Sequence, residues 1–496
     1  MYFYATLNTH MANFNYKLIG LIKSMEEDEY REFNKFVSST FYSKGRNFLP
    51  LLKAIRELKK DELDSSASHD LYARLFPDKK FNNQTLRNRF SELFKLGEEY
   101  YIYKFLKDNP VEKDKILLQK YLSKKLYNLF EIRYNKTKSI LKNTPESEKK
   151  FRDNSFLNSL NLSLLNNKKK LEKMYSQYFD HSTTITSIFL MDIFHFGIEY
   201  IQQDYAKRKY DFNIATEVLK NLNADSFIKK LSKSNSTEYK IVCMHYYLYK
   251  SFEKPEENEQ YYFEARKIFR DYTSIFSEEY RVQLYTIMIY YCTLKQNAGH
   301  SNFQSELFKL YNEKLKQGLI SDLRAEIFPV NSFRDYVLIG VVLNKFDWVE
   351  KFIRKYSKEL PEEIRKSEVK ISYSRLYDKK GMFEKSLEYL RDLRSTNYLH
   401  YTDASVLKLC AYYELGKIEE AFFEIDKFRH YIRNHIEIPK VHLEYNLNFI
   451  NIFQKLLKVK IEPGNKNIDL IEIQLSRLKL VSRKFWLTEK ISELKD

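Results

Sequence analysis

The sequence predicts an all-α protein, with an N-terminal helical domain over residues 1–110 and an α-solenoid of helical hairpins over 111–496. Three observations carry this expectation. Short blocks beginning at Phe346, Gly381 and Gly416 recur 35 residues apart, each with turn residues, a large apolar side chain, two mostly charged positions, a variable one and another apolar one. A period near 34 with a turn at a fixed place marks helix–turn–helix units that stack on their neighbours. The 496 residues contain only 10 Gly and 9 Pro with 30% charged residues, which favours long helices and few tight turns. Apolar side chains also return at helical spacing along most of the chain.

Taken in order, Leu18, Ile19, Leu21 and Ile22 give the lead-in segment a short apolar face. Glu26-Glu27-Asp28-Glu29 then precedes Tyr30, Phe33, Phe36 and Val37, a helix whose acids sit at the positive end of its dipole. Phe48 to Leu58 predicts a second helix with Leu51, Leu52, Ile55 and Leu58 on one side, and the polar run Asp61 to Ser68 predicts a loop.

A short helix from Asp70 to Phe76, closed by Pro77, leads through a turn at Asp78–Asn82 into a long helix starting near Asn83. Leu86, Phe90, Leu93 and Phe94 form its apolar stripe; Gln84, Arg87, Asn88, Ser91 and Lys95 form a polar one. Two helices joined by a turn, the second displaying Arg, Asn, Gln and Lys, have the layout of a helix-turn-helix DNA reader. Those side chains make paired contacts to guanine and adenine edges. The turn is longer than that motif uses, and a capping role for these helices fits the same pattern.

Asp108-Asn109-Pro110 breaks the chain and places the domain boundary. Beyond it, Pro145, Pro255 and Pro361 are each followed by acids, as expected at first helical positions. Their spacings, close to three repeat lengths, extend the array back to about residue 111. Apolar faces at Tyr246, Tyr247, Tyr249 and Phe252, then Tyr262, Ala265, Ile268 and Phe269, then Leu284, Ile287, Met288 and Tyr291 continue the pattern.

The blocks near 346, 381 and 416 resemble the tetratricopeptide family over residues 332–433. Gly381, Phe383 and Ser386, and Gly416, Ile418 and Ala421, match its turn Gly, apolar and small positions; Tyr377 and Tyr412 match its first-helix aromatic. The first unit departs from it, with Phe346 in place of Gly and Lys351 in place of the small residue. The resemblance implies a TPR-like binding groove lined by first-helix positions 2, 5, 9 and 12. Counted back from the turn residue, these are Phe333, Tyr336, Gly340 and Leu343, then Glu368, Ile371, Arg375 and Asp378, then Asp403, Val406, Cys410 and Tyr413. The implied groove is apolar at one end, with an Arg375/Asp378 pair in its middle, suited to a peptide with an apolar anchor and a flanking charge.

After the repeats, Pro439 opens a helix to about Val459, Pro463-Gly464-Asn465 predicts a turn, and Ile468–Leu494 predicts one long capping helix. Its apolar side is Ile471, Leu475, Leu478, Val481 and Phe485.

Candidate chemistry is sparse. No glycine-rich phosphate loop or GxSxG elbow occurs. His195 and Glu199 stand one turn apart without a third ligand at metal spacing. Cys243, Cys292 and Cys410 are scattered in apolar stretches, so neither disulfides nor zinc are indicated. Apolar windows at 185–201 and 282–294 are interrupted or too short to span a bilayer, and residues 1–5 lack a leader pattern. A cytoplasmic, non-enzymatic protein without cofactors or a membrane partner is therefore expected. The expected function is that of a scaffold binding a peptide or partner protein on its concave face. The alternative is a transcriptional regulator with an N-terminal DNA reader; the net charge of +17 is compatible with duplex DNA as partner.

Overall fold

The computed structural model describes residues 17–58, 65–205, 213–320, 328–393, 397–461 and 468–495. The fold is all-α. Among the described residues the only β feature is an isolated bridge between Glu146 and Phe276. The predicted turn at 463–465, the first five residues and residues 61–64 of the polar run lie outside the described residues, while 65–68, expected as loop, are helical. The helix expected to start at Asp70 begins at Ser65.

The chain forms two compact units. The first comprises Met1–Thr144 and Lys149–Ile185, so residue 110, the expected boundary, lies inside it. Its principal core gathers Leu18, Phe33, Leu52, Ile55, Leu86, Phe90 and Leu93 from the segment at 17–23 and helices Glu27–Ser38, Leu49–Glu57 and Asn83–Asp108. Each helix has a local cause. Glu27, Asp28 and Glu29 occupy the first turn of one. Asn82 caps another by accepting from the Thr85 N–H at 3.0 Å. The Arg56 guanidinium fastens the segment at 17–23 by donating to the Ile22 and Met25 carbonyls at 2.9 Å each. Pro110 opens Pro110–Ser123 at its first position, and this helix pairs with Tyr127–Asn143 around Leu118, Phe130 and Leu141.

The second unit, Pro145–Glu148 with Thr186–Asp496, is a succession of helical hairpins. Thr237–Glu253 pairs with Glu259–Tyr272, and Glu278–Asn297 with Asn302–Lys316. The three repeat blocks follow. The first hairpin is Val330–Val342 with Phe346–Tyr356, the second Glu362–Lys379 with Phe383–Leu390, and the third Tyr398–Glu414 with Ile418–Asn434. Within these three, each leading helix also lies beside the leading helix of the next hairpin, which is how a stacked array buries a continuous core.

Two of the prolines depart from expectation. Pro255 stands in a turn ahead of Glu259–Tyr272, and its carbonyl accepts from buried Lys295 Nζ at 3.1 Å. Pro145 precedes the Glu146 bridge rather than opening a helix. Pro361 and Pro439 immediately precede the helices they were expected to open. In these cases the fixed φ shapes the approach to the helix.

The single C-terminal helix is corrected to two, Ile468–Arg477 and Lys484–Glu493. The break is held by polar groups reaching into it. Asn448 Nδ2 donates to the Leu480 carbonyl at 2.9 Å, Lys484 Nζ to the Leu478 carbonyl at 2.6 Å, and Arg483 takes a left-handed φ of 53°. The bend resets the buried face from Ile471 and Leu475 to Leu487 and Ile491, leaving the expected core residue Phe485 92% exposed.

Candidate functional site

The connectors of the three hairpins are each three residues long, and the middle residue of each is left-handed: Asn344 at φ 54°, Gly381 at 73° and Gly416 at 67°. Gly meets no steric penalty there and Asn tolerates it, which closes one helix and aims the next. The equivalent of the two glycines is therefore Asn344, not Phe346, and the register of the first unit moves back by two. Phe346 then aligns with Phe383 and Ile418. The close-packed position is Val349, Ser386 and Ala421, each fully buried, rather than Lys351. In the second hairpin that crossing is also hydrogen-bonded, with Ser374 and Ser386 hydroxyls 2.8 Å apart. Gly340 aligns with Tyr377 and Tyr412. A Cβ on it would lie 2.5 Å from Val349 Cγ2 and 3.2 Å from Trp348 Cε3, so the following helix fills the space the aromatic takes elsewhere.

This shift relocates the expected groove residues of the first unit. Phe333 and Tyr336 are buried, Tyr336 between Phe352 of its own hairpin at 5.2 Å and Tyr311 of the preceding one at 4.3 Å, and half-buried Leu343 lies in the connector. The positions equivalent to Glu368, Ile371, Arg375 and Asp378 are instead Asn331, Arg334, Leu338 and Val341. Of these, Asn331 and Leu338 are exposed and Arg334 is buried.

On this leading-helix face a charged network crosses three hairpins. Arg334 Nε donates to Glu368 Oε2 at 2.7 Å, and His400 Nε2 lies 2.8 Å from the same oxygen. Arg375 Nη2 donates to Asp403 Oδ2 at 2.6 Å, with Arg334 Nη1 at 3.7 Å from that oxygen. Glu368 is fully buried. Burial alone would raise its pKa, but the His400 hydrogen bond and the Arg334 and Arg375 charges hold it below the usual carboxylate range. Arg334 Nη2, Arg375 Nη1 and Glu368 Oε1 are buried without a hydrogen-bond partner among the described residues. Asp403 keeps a 32% exposed side chain at the edge of the network.

The expected Arg375/Asp378 pair does not form. Asp378 is instead paired by Arg483, at 2.9 Å from the C-terminal break. Ile371, Val406 and Cys410 are buried, and Tyr413 packs under Trp486 and Lys460, the latter ammonium 3.8 Å from its ring centre. Arg334, His400 and Arg483 escaped the sequence reading. Glu368 and Asp403 do hold the same place in their repeats, 35 residues apart, but Arg334 stands three positions further along its own helix and shares no repeat position with them.

In the first unit, the polar stripe of Asn83–Asp108 faces outward at Gln84, Asn88 and Lys95, while Arg87 is half-buried. Gln84 Nε2 donates to Asn88 Oδ1 at 2.9 Å, so these two engage each other. Arg87 and Lys95 have no carboxylate partner among the described residues. Arg89 lies over the Phe48 and Phe76 rings.

No group of three His, Cys, Asp or Glu is gathered for a metal among the described residues, and Cys243, Cys292 and Cys410 are buried free thiols. Among the described residues one helix, Leu171–Gln203, is long and apolar enough by length and composition to cross a membrane, and 44% of its 18-residue apolar window is buried inside the protein.

Compared with known proteins, the chain matches no family pattern and no curated protein. A solved structure, that of NprR in complex with its cognate peptide NprX, is similar at 11% identity over 78% of this chain and 99% of that chain, with a TM-score of 0.27. A likeness of that size carries no argument about this chain.

Proposed function

We propose that this chain is a non-catalytic binding protein of tetratricopeptide-like build, whose leading-helix face across residues 330–414 takes a peptide segment of a partner. The observation that supports this reading is the network of Arg334, Glu368, Arg375 and Asp403. Withdrawing charges from water is costly, and leaving arginine N–H groups unpaired costs more than a packed apolar core would. Arg375 Nη1 faces Glu368 Oε1 at 4.0 Å inside the network, and a peptide reaches these charges through their exposed edge at Asp403. Exposed Leu338 and the open edge of Asp403 supply an apolar contact and a second charge beside them.

The test is selection of peptides from a random library on the full chain, followed by affinity measurement with Arg375→Gln. Loss of one charged hydrogen bond of roughly 1.5–3 kcal/mol weakens binding about tenfold or more. Equal binding by an Arg375→Gln chain that melts like the wild type would overturn the reading. The second reading, duplex recognition by the first unit, is supported by the carboxylate-free Arg87 and Lys95. It requires duplex affinity that falls steeply with salt and drops in Arg87→Ala/Lys95→Ala.

A further inference from the structure

A cavity of about 320 Å³ lies between Asn302–Lys316 and Phe346–Tyr356, the second helices of successive hairpins, away from the leading-helix network. Asn312, Leu315, Lys316, Trp348, Lys351, Phe352, Lys355 and Tyr356 line it. Its apolar wall is rigidly set. Trp348 Nε1 donates to Asn312 Oδ1 at 2.8 Å, and Asn312 Nδ2 donates to the Phe308 carbonyl at 2.8 Å, so the amide is held at both ends. Phe352 stacks on Trp348 at 5.3 Å and meets Tyr356 at 5.1 Å.

The rim is one-signed. Lys316, Lys351 and Lys355 are exposed, have no carboxylate partner among the described residues, and none of the lining residues is acidic. Elsewhere on these helices basic side chains are matched, as Lys309 is by Glu306 and Arg354 by Glu350. At the lower end of ligand-site volumes, the pocket has room for one large side chain.

We propose that this cavity is a second binding site that takes the aromatic or branched apolar side chain of an acidic peptide segment, with Lys316, Lys351 and Lys355 pairing the flanking carboxylates. Positive rim charge around an apolar anchor pocket complements that chemistry, giving both anchoring and electrostatic steering. A nucleic-acid base fits less well, because base stacking needs a free ring face. The Trp348 ring is already in contact with Phe352 and with Phe308, 4.9 Å away.

The test is fluorescence anisotropy of a labelled, end-capped peptide with one phenylalanine between glutamates, titrated with the full chain. Saturable binding is expected, weakened at least about tenfold when the peptide phenylalanine becomes alanine. A similar loss is expected in Lys351→Glu/Lys355→Glu, with Lys351→Gln/Lys355→Gln as a milder pair should the first melt early. Arg375→Gln leaves this affinity unchanged, which separates the site from the leading-helix face. Absence of saturable binding up to roughly millimolar chain overturns the proposal. So does undiminished binding by a folded lysine variant, or tighter binding of a single-stranded oligonucleotide of matched charge.

Discussion

At the scale of residues, Glu368 is the pivot of the second unit. It is fully buried and meets two guanidiniums and an imidazole drawn from all three repeat hairpins. Its folded pKa is lowered relative to the unfolded chain, so its contribution to stability is fully present above the ordinary carboxylate value. That contribution is lost as the pH falls through the lower folded value. Urea unfolding followed by circular dichroism should therefore show stability declining in acid below the ordinary carboxylate range. Glu368→Gln should cost about 3–5 kcal/mol at neutral pH and flatten that part of the acid decline, because it leaves two buried guanidiniums without their shared anion. An unchanged acid profile in the variant would show that the network does not control it. The charges themselves were legible in the chain as Arg375 and as the recurrence of Glu368 and Asp403. Their pairing was not. Arg375 and Asp378 are one helical turn apart, yet each is paired elsewhere: Arg375 with Asp403 on the adjacent leading helix, and Asp378 with Arg483 in the C-terminal break.

At the scale of elements, the connector decides the register of each hairpin. Asn344 occupies the left-handed position that Gly381 and Gly416 occupy in the next two units. Asn344→Gly should leave the melting temperature unchanged or higher, whereas Asn344→Ala should cost about 1 kcal/mol, because a Cβ is disfavoured in that conformation. Equal stability of the two variants would mean the connector conformation is not required. Two glycines made the later turns readable from the sequence alone. The first turn was hidden because Asn carries a weaker version of the same signal, and the more conspicuous Phe346-Asp347-Trp348 drew the alignment two residues forward. The displaced register carried Phe333 and Tyr336 onto a face they do not occupy.

At the scale of the whole molecule, the apolar end of the second unit is closed by the two C-terminal helices. Ile471, Leu475, Val481, Leu487 and Ile491 share a core with Phe449, Phe453, Leu456 and Leu457 of Lys440–Ile461. Arg483 and Lys490 extend the closure with ion pairs to Asp378 and Glu414. A chain ending at Ile461 would expose that core as an apolar patch, which a stacked array tolerates poorly. It should melt earlier and self-associate in light scattering. A truncated chain that stays monomeric with an unshifted melting temperature would show that these helices are appended rather than capping.

Helicity, the turns of the repeats near 381 and 416, and the apolar side of most helices are all readable from the residues in chain order. These are local properties: helical periodicity, glycine at left-handed positions and acids at helix starts all act within a few residues. Tertiary structure decided the rest. It set the register of the first repeat, broke the last helix where Asn448 and Lys484 reach its carbonyls, and withdrew Ile371, Val406 and Tyr413 from solvent. It also brought Arg334, Glu368, His400 and Asp403 together. Each of these depends on which helices become neighbours, and neighbours chosen across tens of residues leave only the repeat period itself in the sequence.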